Sequence, residues 1–248
     1  MSCGPGIPLS RTAVVLLASG LSRRYGRRDK MLEDLGGRPL VEHAASLISR
    51  MDALTRIAVC PADRKQIGER LIDRFVIAVN QKPKDGLGHS IAVGVKVALQ
   101  FKPDAILVAM GDMAFIEPWM LRDLVGGLGS GGADIVHSGG SEGARPPTAF
   151  GSACFEALSK LEGDEGARPL IQSGKFRIAS IGAPSPLLID IDTKEDIEIA
   201  REQFRIRERH RSAASPVSVE TEAARVPLGL QDDGKQTKEQ ARGVAARR

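Results

Sequence analysis

An α/β fold, doubly wound around a mostly parallel sheet with helices on both faces, is what this sequence predicts, and three observations predict it. Short, uninterrupted apolar runs such as Ala13–Ala18 and Ile57–Cys60 recur along the chain, as in strands buried on both faces. Stretches of helix length separate them, with apolar residues on one side, as at Ile91, Val95 and Ala98. The patterned region, about residues 12–200, is too short for a barrel of eight βα units.

The first strand, Ala13 to Ala18, enters a loop rich in glycine and arginine, and a helix follows from about Pro39 to Arg50. Ile57 to Cys60 make a second strand, stopped by Pro61, and a polar helix runs through Leu71. Phe75 to Val79 are a third strand and Ser90 to Phe101 a helix; Asp104 to Met110 are a fourth strand and Pro118 to Val125 a helix. Beyond this the chain is glycine-dense at Gly126–Gly132 and Gly139–Gly143, with Ala133 to His137 as a strand between the two. Ala153–Leu161 and Ala167–Ser173 read as short helices, Leu187–Ile191 as a strand, and a last helix runs from Lys194 through Ala200. The expected organisation is a lead-in at 1–11 without a signal-peptide pattern, one domain at 12–204, and a charged, disordered tail at 205–248.

Composition narrows the function. The net charge of +4 gathers in Arg205–Arg211 and in tail residues such as Arg242, Arg247 and Arg248, with no aromatic residues interleaved. That is a solvated surface rather than a nucleic-acid partner. Cys3, Cys60 and Cys154 are odd in number and far apart, which excludes a zinc spacing or disulfide framework and implies a reduced, cytoplasmic setting. No apolar run reaches about 18 residues, so no membrane span is expected.

Four segments could carry chemistry. The loop Leu17 to Lys30 leaves the carboxyl end of a buried strand, where open α/β sheets bind ligands. Gly20 allows close backbone approach, turn N–H groups can form an anion nest, and Arg24 and Lys30 could neutralise a triphosphate. A basic surface turn would look the same, and neither a Walker loop nor a GxGxxG pattern is present. Asp112, in Met110-Gly111-Asp112-Met113, could reach the same crevice and suit Mg²⁺, or could cap the helix near Pro118. In Asp190-Ile191-Asp192-Thr193-Lys194-Glu195-Asp196, Asp192 or Thr193 makes a good N-cap, which leaves room for a second role in the same run. In Asn80 to Val95, Ser90 fits an N-cap, and a glycine-flanked helix start also suits a ribose or phosphate. Of the histidines, His43 falls in a packed helix and His89 in an exposed loop.

Together these residues resemble a known family. Leu17-Ala18-Ser19-Gly20-x-Ser22-x-Arg24-x-Gly26…Lys30 resembles the LAAGxSxRMG…K signature of the MobA/MocA-like nucleotidyltransferases. Asn80…Gly86-x-Gly88-x-Ser90…Gly94-Val95 is similar to their G-M-G-x-S-L…G-V segment, and Met110–Met113 to L-G-D-M-P. Gly163-Asp164-x-Gly166-Ala167-Arg168 and Asp190-Ile191-Asp192-Thr193 resemble the late G-D-x-G-A-R and D-I-D-T-P-E-D elements. The likeness is greatest to the cytidylyltransferase branch that acts on the molybdenum cofactor. It implies a Rossmann-like nucleotidyltransferase fold and Mg²⁺-dependent transfer of CMP from CTP to the phosphate of molybdopterin, with release of pyrophosphate. It assigns Arg24 and Lys30 to the triphosphate, Asp112 and Asp192 to the metal, and Leu17, Ala18, Ser19, Gly20, Ser22, Asn80, Gly88 and Ser90 to the nucleotide. Arg168 and the Gly139–Gly143 loop would meet the acceptor, and a molybdoenzyme client or its chaperone would receive the product. The departures are Ser19, Tyr25, Ala114, and Arg145-Pro146-Pro147 in place of G-H-P; Asp29-Lys30 is similar to the guanylyl branch. GMP transfer from GTP, a sugar or polyol phosphate acceptor, and a non-catalytic nucleotide-binding or cofactor-handover module stay open as alternatives.

Overall fold

The computed structural model describes residues 6–22, 24–26, 29–129, 132–139 and 143–214. Its strands are β1 (Thr12–Leu17), β2 (Asp34–Leu35), β3 (Arg38–Pro39), β4 (Thr55–Pro61), β5 (Val76–Asn80), β6 (Ala105–Met110), β7 (Ile135–Ser138), β8 (Arg145–Gly151) and β9 (Ile178–Ile181). Its helices are α1 (Leu40–Ser49), α2 (Lys65–Leu71), α3 (Gly86–Ala98), α4 (Pro118–Gly126), α5 (Phe155–Ser159), α6 (Arg168–Gln172) and α7 (Lys194–Ala214). Strands β2 and β3 form a small hairpin; the other seven form one sheet in the order β5-β4-β1-β6-β8-β7-β9. All its pairs are parallel except those of β8, which runs antiparallel to both β6 and β7.

Strand β1 is buried at every position, as the central strand of a doubly covered sheet must be. Val14 and Leu16 face a core closed by α1, α2 and α4 through Val41, Ile67 and Leu124. Ala13, Val15 and Leu17 face a second core closed by α3, α5 and α6 through Ile91, Val95, Leu158 and Leu170. Helix α3 lies so close to the sheet that a Cβ on Gly94 would come within 2.5 Å of Val15 and 2.8 Å of Val59. A smaller core of Tyr25, Leu35, Leu40, Phe115, Ile191, Ile197 and Ala200 seats α7 beside the carboxyl end of the sheet.

Five segments depart from expectation. Helix α3 begins at Gly86, not Ser90; Ser90 lies inside it, with Oγ donating to the Gly86 carbonyl at 3.2 Å, so it is not the N-cap. Leu187–Ile191 is no strand: Leu188 and Ile191 are loop anchors buried in two different cores, which imitates a strand's apolar run. Strand β8 escaped notice because Pro146-Pro147 reads as a turn, and β9 because its residues are largely exposed. Helix α7 continues to Ala214, past the expected domain end. Phe204 packs edge-on against His43 with centroids 5.3 Å apart, and Arg207 stacks over Phe115 at 4.6 Å. In the lead-in, Ile7 and Leu9 pack on the main core; residues 1–5 and 215–248 lie outside the described residues.

His43 is buried, its Nε2 donating to the Leu35 carbonyl at 2.8 Å and its Nδ1 facing Arg38 Nη2 at 3.2 Å. That fixes the neutral tautomer. Burial, then the Arg38 charge, lowers its pKa, so the folded state binds fewer protons than the unfolded one. Its contribution is present above about pH 6.5, the unfolded-state value, and is lost as the pH falls through the folded value. Urea midpoints from pH 7.5 to 5 are expected to fall less steeply in His43→Gln than in the wild type. Gly94→Ala is expected to cost about 1–3 kcal/mol by overpacking. Gly126→Ala, whose Cβ would meet nothing within 4 Å, should be neutral or stabilising in the same urea titration.

Candidate functional site

The loop after β1 opens over the carboxyl end of the sheet. Gly111 N–H donates to the Leu17 carbonyl at 2.9 Å and so ties β6 to the loop's start. Beyond it, the backbone N–H groups of Ser19, Gly20, Leu21 and Ser22 have no acceptor among the described residues. All four residues line a cavity of about 420 Å³. Unpaired N–H groups lining one cavity favour an anion. Ser22 holds a left-handed φ of 51°, and its Oγ receives the Lys30 N–H at 3.3 Å. Asp29 braces the same turn: its carboxylate accepts from Met31 N–H at 3.0 Å and from Arg64 at 2.8 Å, while Arg64 also reaches the Gly20 carbonyl. Arg23, Arg27 and Arg28 lie outside the described residues.

Lys30 crosses the cavity floor. Its Nζ is 2.5 Å from Asp112 Oδ2 and 2.6 Å from Asp192 Oδ1, with the Lys30 side chain 7% and the Asp112 side chain 5% exposed. Burial by itself pushes the ammonium pKa down, but Asp112 and then Asp192 outweigh it and leave the pKa raised. Arg24, reaching in from solvent, bonds the other oxygen of Asp192 at 2.5 Å. Asp112 is no helix cap, since Glu117 holds that position before α4. In the late run both readings hold, each for a different residue. Thr193 Oγ1 accepts from Asp196 N–H at 3.1 Å, and Asp196 accepts from the N–H groups of Asp192 and Thr193. This reciprocal cap leaves the Asp192 side chain to the cavity.

The start of α3 forms the opposite wall. Ser90 Oγ receives bonds from Ser19 Oγ at 2.8 Å and Asn80 Nδ2 at 3.0 Å. Gly88 N–H donates to the Gly163 carbonyl at 2.8 Å, and a Cβ on Gly88 would fall 2.5 Å from the Glu162 carbonyl oxygen. The Asn80–Val95 and Gly163–Arg168 segments are therefore locked together. Leu17, Ser19, Gly20, Ser22, Arg24, Lys30, Ser90, Asp112 and Asp192 all line the cavity. Ala18, Asn80 and Gly88 do not: Ala18 is buried against β4, Asn80 positions Ser90, and Gly88 serves the loop contact. Arg168 lines a neighbouring cavity of about 490 Å³. Leu17, Leu87, Met110 and Pro146 border both spaces.

Residues 14–178 match the family described as the MobA-like NTP transferase domain. The chain belongs to this family. It is 30% identical over 200 residues to the purine catabolism protein PucB of Bacillus subtilis, covering 75% of this chain and 94% of PucB. A nucleotidyl transferase from Methanothermobacter superposes with a TM-score of 0.67 at 22% identity, covering 79% of this chain and 98% of that one. Rv0371c of Mycobacterium tuberculosis, solved in complex with manganese, gives 0.61 at 20% identity, covering 77% and 97%.

In this MobA-like transferase, one atom bears on a metal. Asp112 Oδ1 is buried without a hydrogen-bond partner among the described residues, an arrangement that costs free energy unless a cation or donor completes it. Among the described residues no group of three or more His, Cys, Asp or Glu side chains forms a self-sufficient metal site. Mg²⁺ needs no such group, since it takes one or two carboxylates and completes its shell with phosphate oxygens and water. Asp190, missed as a site residue, also lines the cavity, its pKa pushed up to about 6 by burial and then by the charges of Asp112 and Asp192. Its place two residues before Asp192 was the available signal. No described helix is long and apolar enough to cross a membrane.

Lys30→Met should leave the Asp112 carboxylate uncompensated and cost on the order of 3 kcal/mol, the lower end for a broken buried ion pair because Asp192 is 30% exposed and keeps Arg24. Thermal unfolding with added Mg²⁺ checks the cause: the variant's midpoint should rise more than the wild type's.

Proposed function

We propose that the protein transfers CMP from CTP to the phosphate of molybdopterin in a Mg²⁺-dependent reaction and releases pyrophosphate. The observation that carries this reading is the meeting of unpaired N–H groups at 19–22, two basic side chains and the orphaned oxygen of Asp112 in one cavity. Asp112 and Asp192 would hold the ion. When bound, it offsets phosphate charge and polarises the α-phosphate.

The chain's own residues supply positioning and charge. The N–H groups at 19–22 receive phosphate oxygens, and Arg24 and Lys30 turn their donors toward the triphosphate and the departing pyrophosphate. An acceptor phosphate oxygen bonds to the α-phosphorus as the bond to the β-phosphate oxygen breaks, and the electron pair leaves with pyrophosphate. No protein nucleophile is needed, because holding the two reactants in line provides much of the rate. CTP is preferred to GTP because the Asp-Lys pair shared with the guanylyl branch offers no free carboxylate here: Asp29 is spent on Arg64, Ser22 and Met31. The acceptor would occupy the second cavity, beside Arg168. A molybdoenzyme client is the expected recipient, and PucB's description makes one acting in purine catabolism the first to test.

Pyrophosphate release is expected with CTP and molybdenum-loaded molybdopterin in the presence of Mg²⁺. Asp112→Asn should lower kcat by at least about 100-fold with the fold intact by circular dichroism. Release with GTP alone would move the protein to guanylyl transfer, and release with a sugar or polyol phosphate would replace the acceptor. Nucleotide binding without release under every condition would make it a binding or handover module.

A further inference from the structure

The second cavity has a shape and polarity of its own. Its floor is one face of three adjoining strands: Val108 on β6, Thr148 and Phe150 on β8, and His137 on β7. Register places them together, since Val108 and His137 both pair with Thr148, and directly opposed residues share a face. Leu87 and Ile91 of α3 and Ile171 of α6 close the space from above, leaving a slot with apolar walls.

Besides Glu165 and Gln172, which also line it, two features break the apolar character. Strand β8 is irregular opposite β7: His137 pairs with Thr148 but Ser138 with Arg145, so extra residues of β8 bulge out there. Bulges re-aim side chains, and here the Ser138 carbonyl is brought to His137 Nδ1 at 2.9 Å. A carbonyl only accepts, so Nδ1 carries the proton. A neutral ring then keeps its Nε2 lone pair as an acceptor, and Nε2 has no partner among the described residues. The ring is held firmly, since His137 is 8% exposed. The second feature is a pair of guanidinium groups, Arg145 and Arg168, which line the same slot and make no ion pair among the described residues.

We infer that His137 is a specificity-determining residue, its Nε2 accepting a hydrogen bond from a ring N–H of a flat, phosphorylated heterocycle whose anionic groups meet Arg145 and Arg168. The inference rests on the transfer reading and deepens it. An apolar slot rewards a planar ring, which a sugar or polyol phosphate cannot offer. Once a ring covers Nε2, leaving that acceptor unmatched penalises any ring without an N–H at that edge. The wall shared with the first cavity lets the phosphate of a ring seated here reach the nucleotide.

Two substitutions separate the ring's two nitrogens. His137→Asn keeps a donor for the Ser138 carbonyl but is too short to reach the slot; His137→Gln carries an acceptor to about the place of Nε2. Steady-state kinetics on the full chain, with CTP, Mg²⁺ and molybdenum-loaded molybdopterin, should show KM for the pterin raised roughly 10-fold or more in His137→Asn. Its kcat and KM for CTP should stay near wild type, and His137→Gln should recover most of the lost affinity. A wild type that uses the pterin while His137→Asn is unchanged, or while both variants lose kcat alike, overturns this inference and leaves the transfer reading standing. A wild type that ignores the pterin sinks the transfer reading and this inference with it.

Discussion

Taking the Lys30 ammonium out of water is unfavourable in itself, and the protein tolerates it because two carboxylates lie within 2.6 Å of Nζ. Those carboxylates come from distant parts of the chain, Asp112 at the end of β6 and Asp192 just before α7. Asp112 could not stay buried and charged without the lysine, whereas Asp192 is 30% exposed and also has Arg24. The three groups therefore have to assemble together, and the loop after β1, the turn after β6 and the entry to α7 take their positions from that requirement.

Around this charge centre the fold supplies rigidity where it is needed. Neighbouring strands β1 and β6 deliver Ser19 and Asp112 to the same edge. Helix α3 is drawn against β1 and β4 at Gly94 and clamped at its start by the 162–163 backbone. The N–H groups at 19–22, by contrast, are left without partners among the described residues. Unmet donors over a well-braced floor are the mark of a place built for an anion, because they gain their hydrogen bonds only when it arrives.

Much of this was legible in the sequence. The apolar runs of β1, β4 and β6 exposed the sheet, and the spacing of Gly20, Ser22, Arg24 and Lys30 exposed the loop. What escaped was set by long-range pairing. Strand β8 begins with two prolines and is a strand only because β6 and β7 flank it. Asn80 and Gly88 belong to the right motif but act on neighbouring protein, a difference that depends on which way a side chain points. His137 sits at the end of an expected strand, and only the irregular register opposite it reveals where its ring is held. The length of α7 was hidden for a similar reason, because beyond Ala200 it is mostly polar and is held through Phe204 and Arg207 against residues far away in sequence.

At the entry to α7, adjacent residues divide two tasks. Thr193 and Asp196 close the helix end on each other, while Asp192, one position earlier, spends its side chain wholly on the cavity. Had one carboxylate done both, every change in the charge of the crevice would also have loosened the helix. With the duties separated, the charge carried at position 192 and the closure of the helix end rest on different side chains. Descendants of this chain could adjust how tightly the crevice holds positive charge while inheriting the same helix cap.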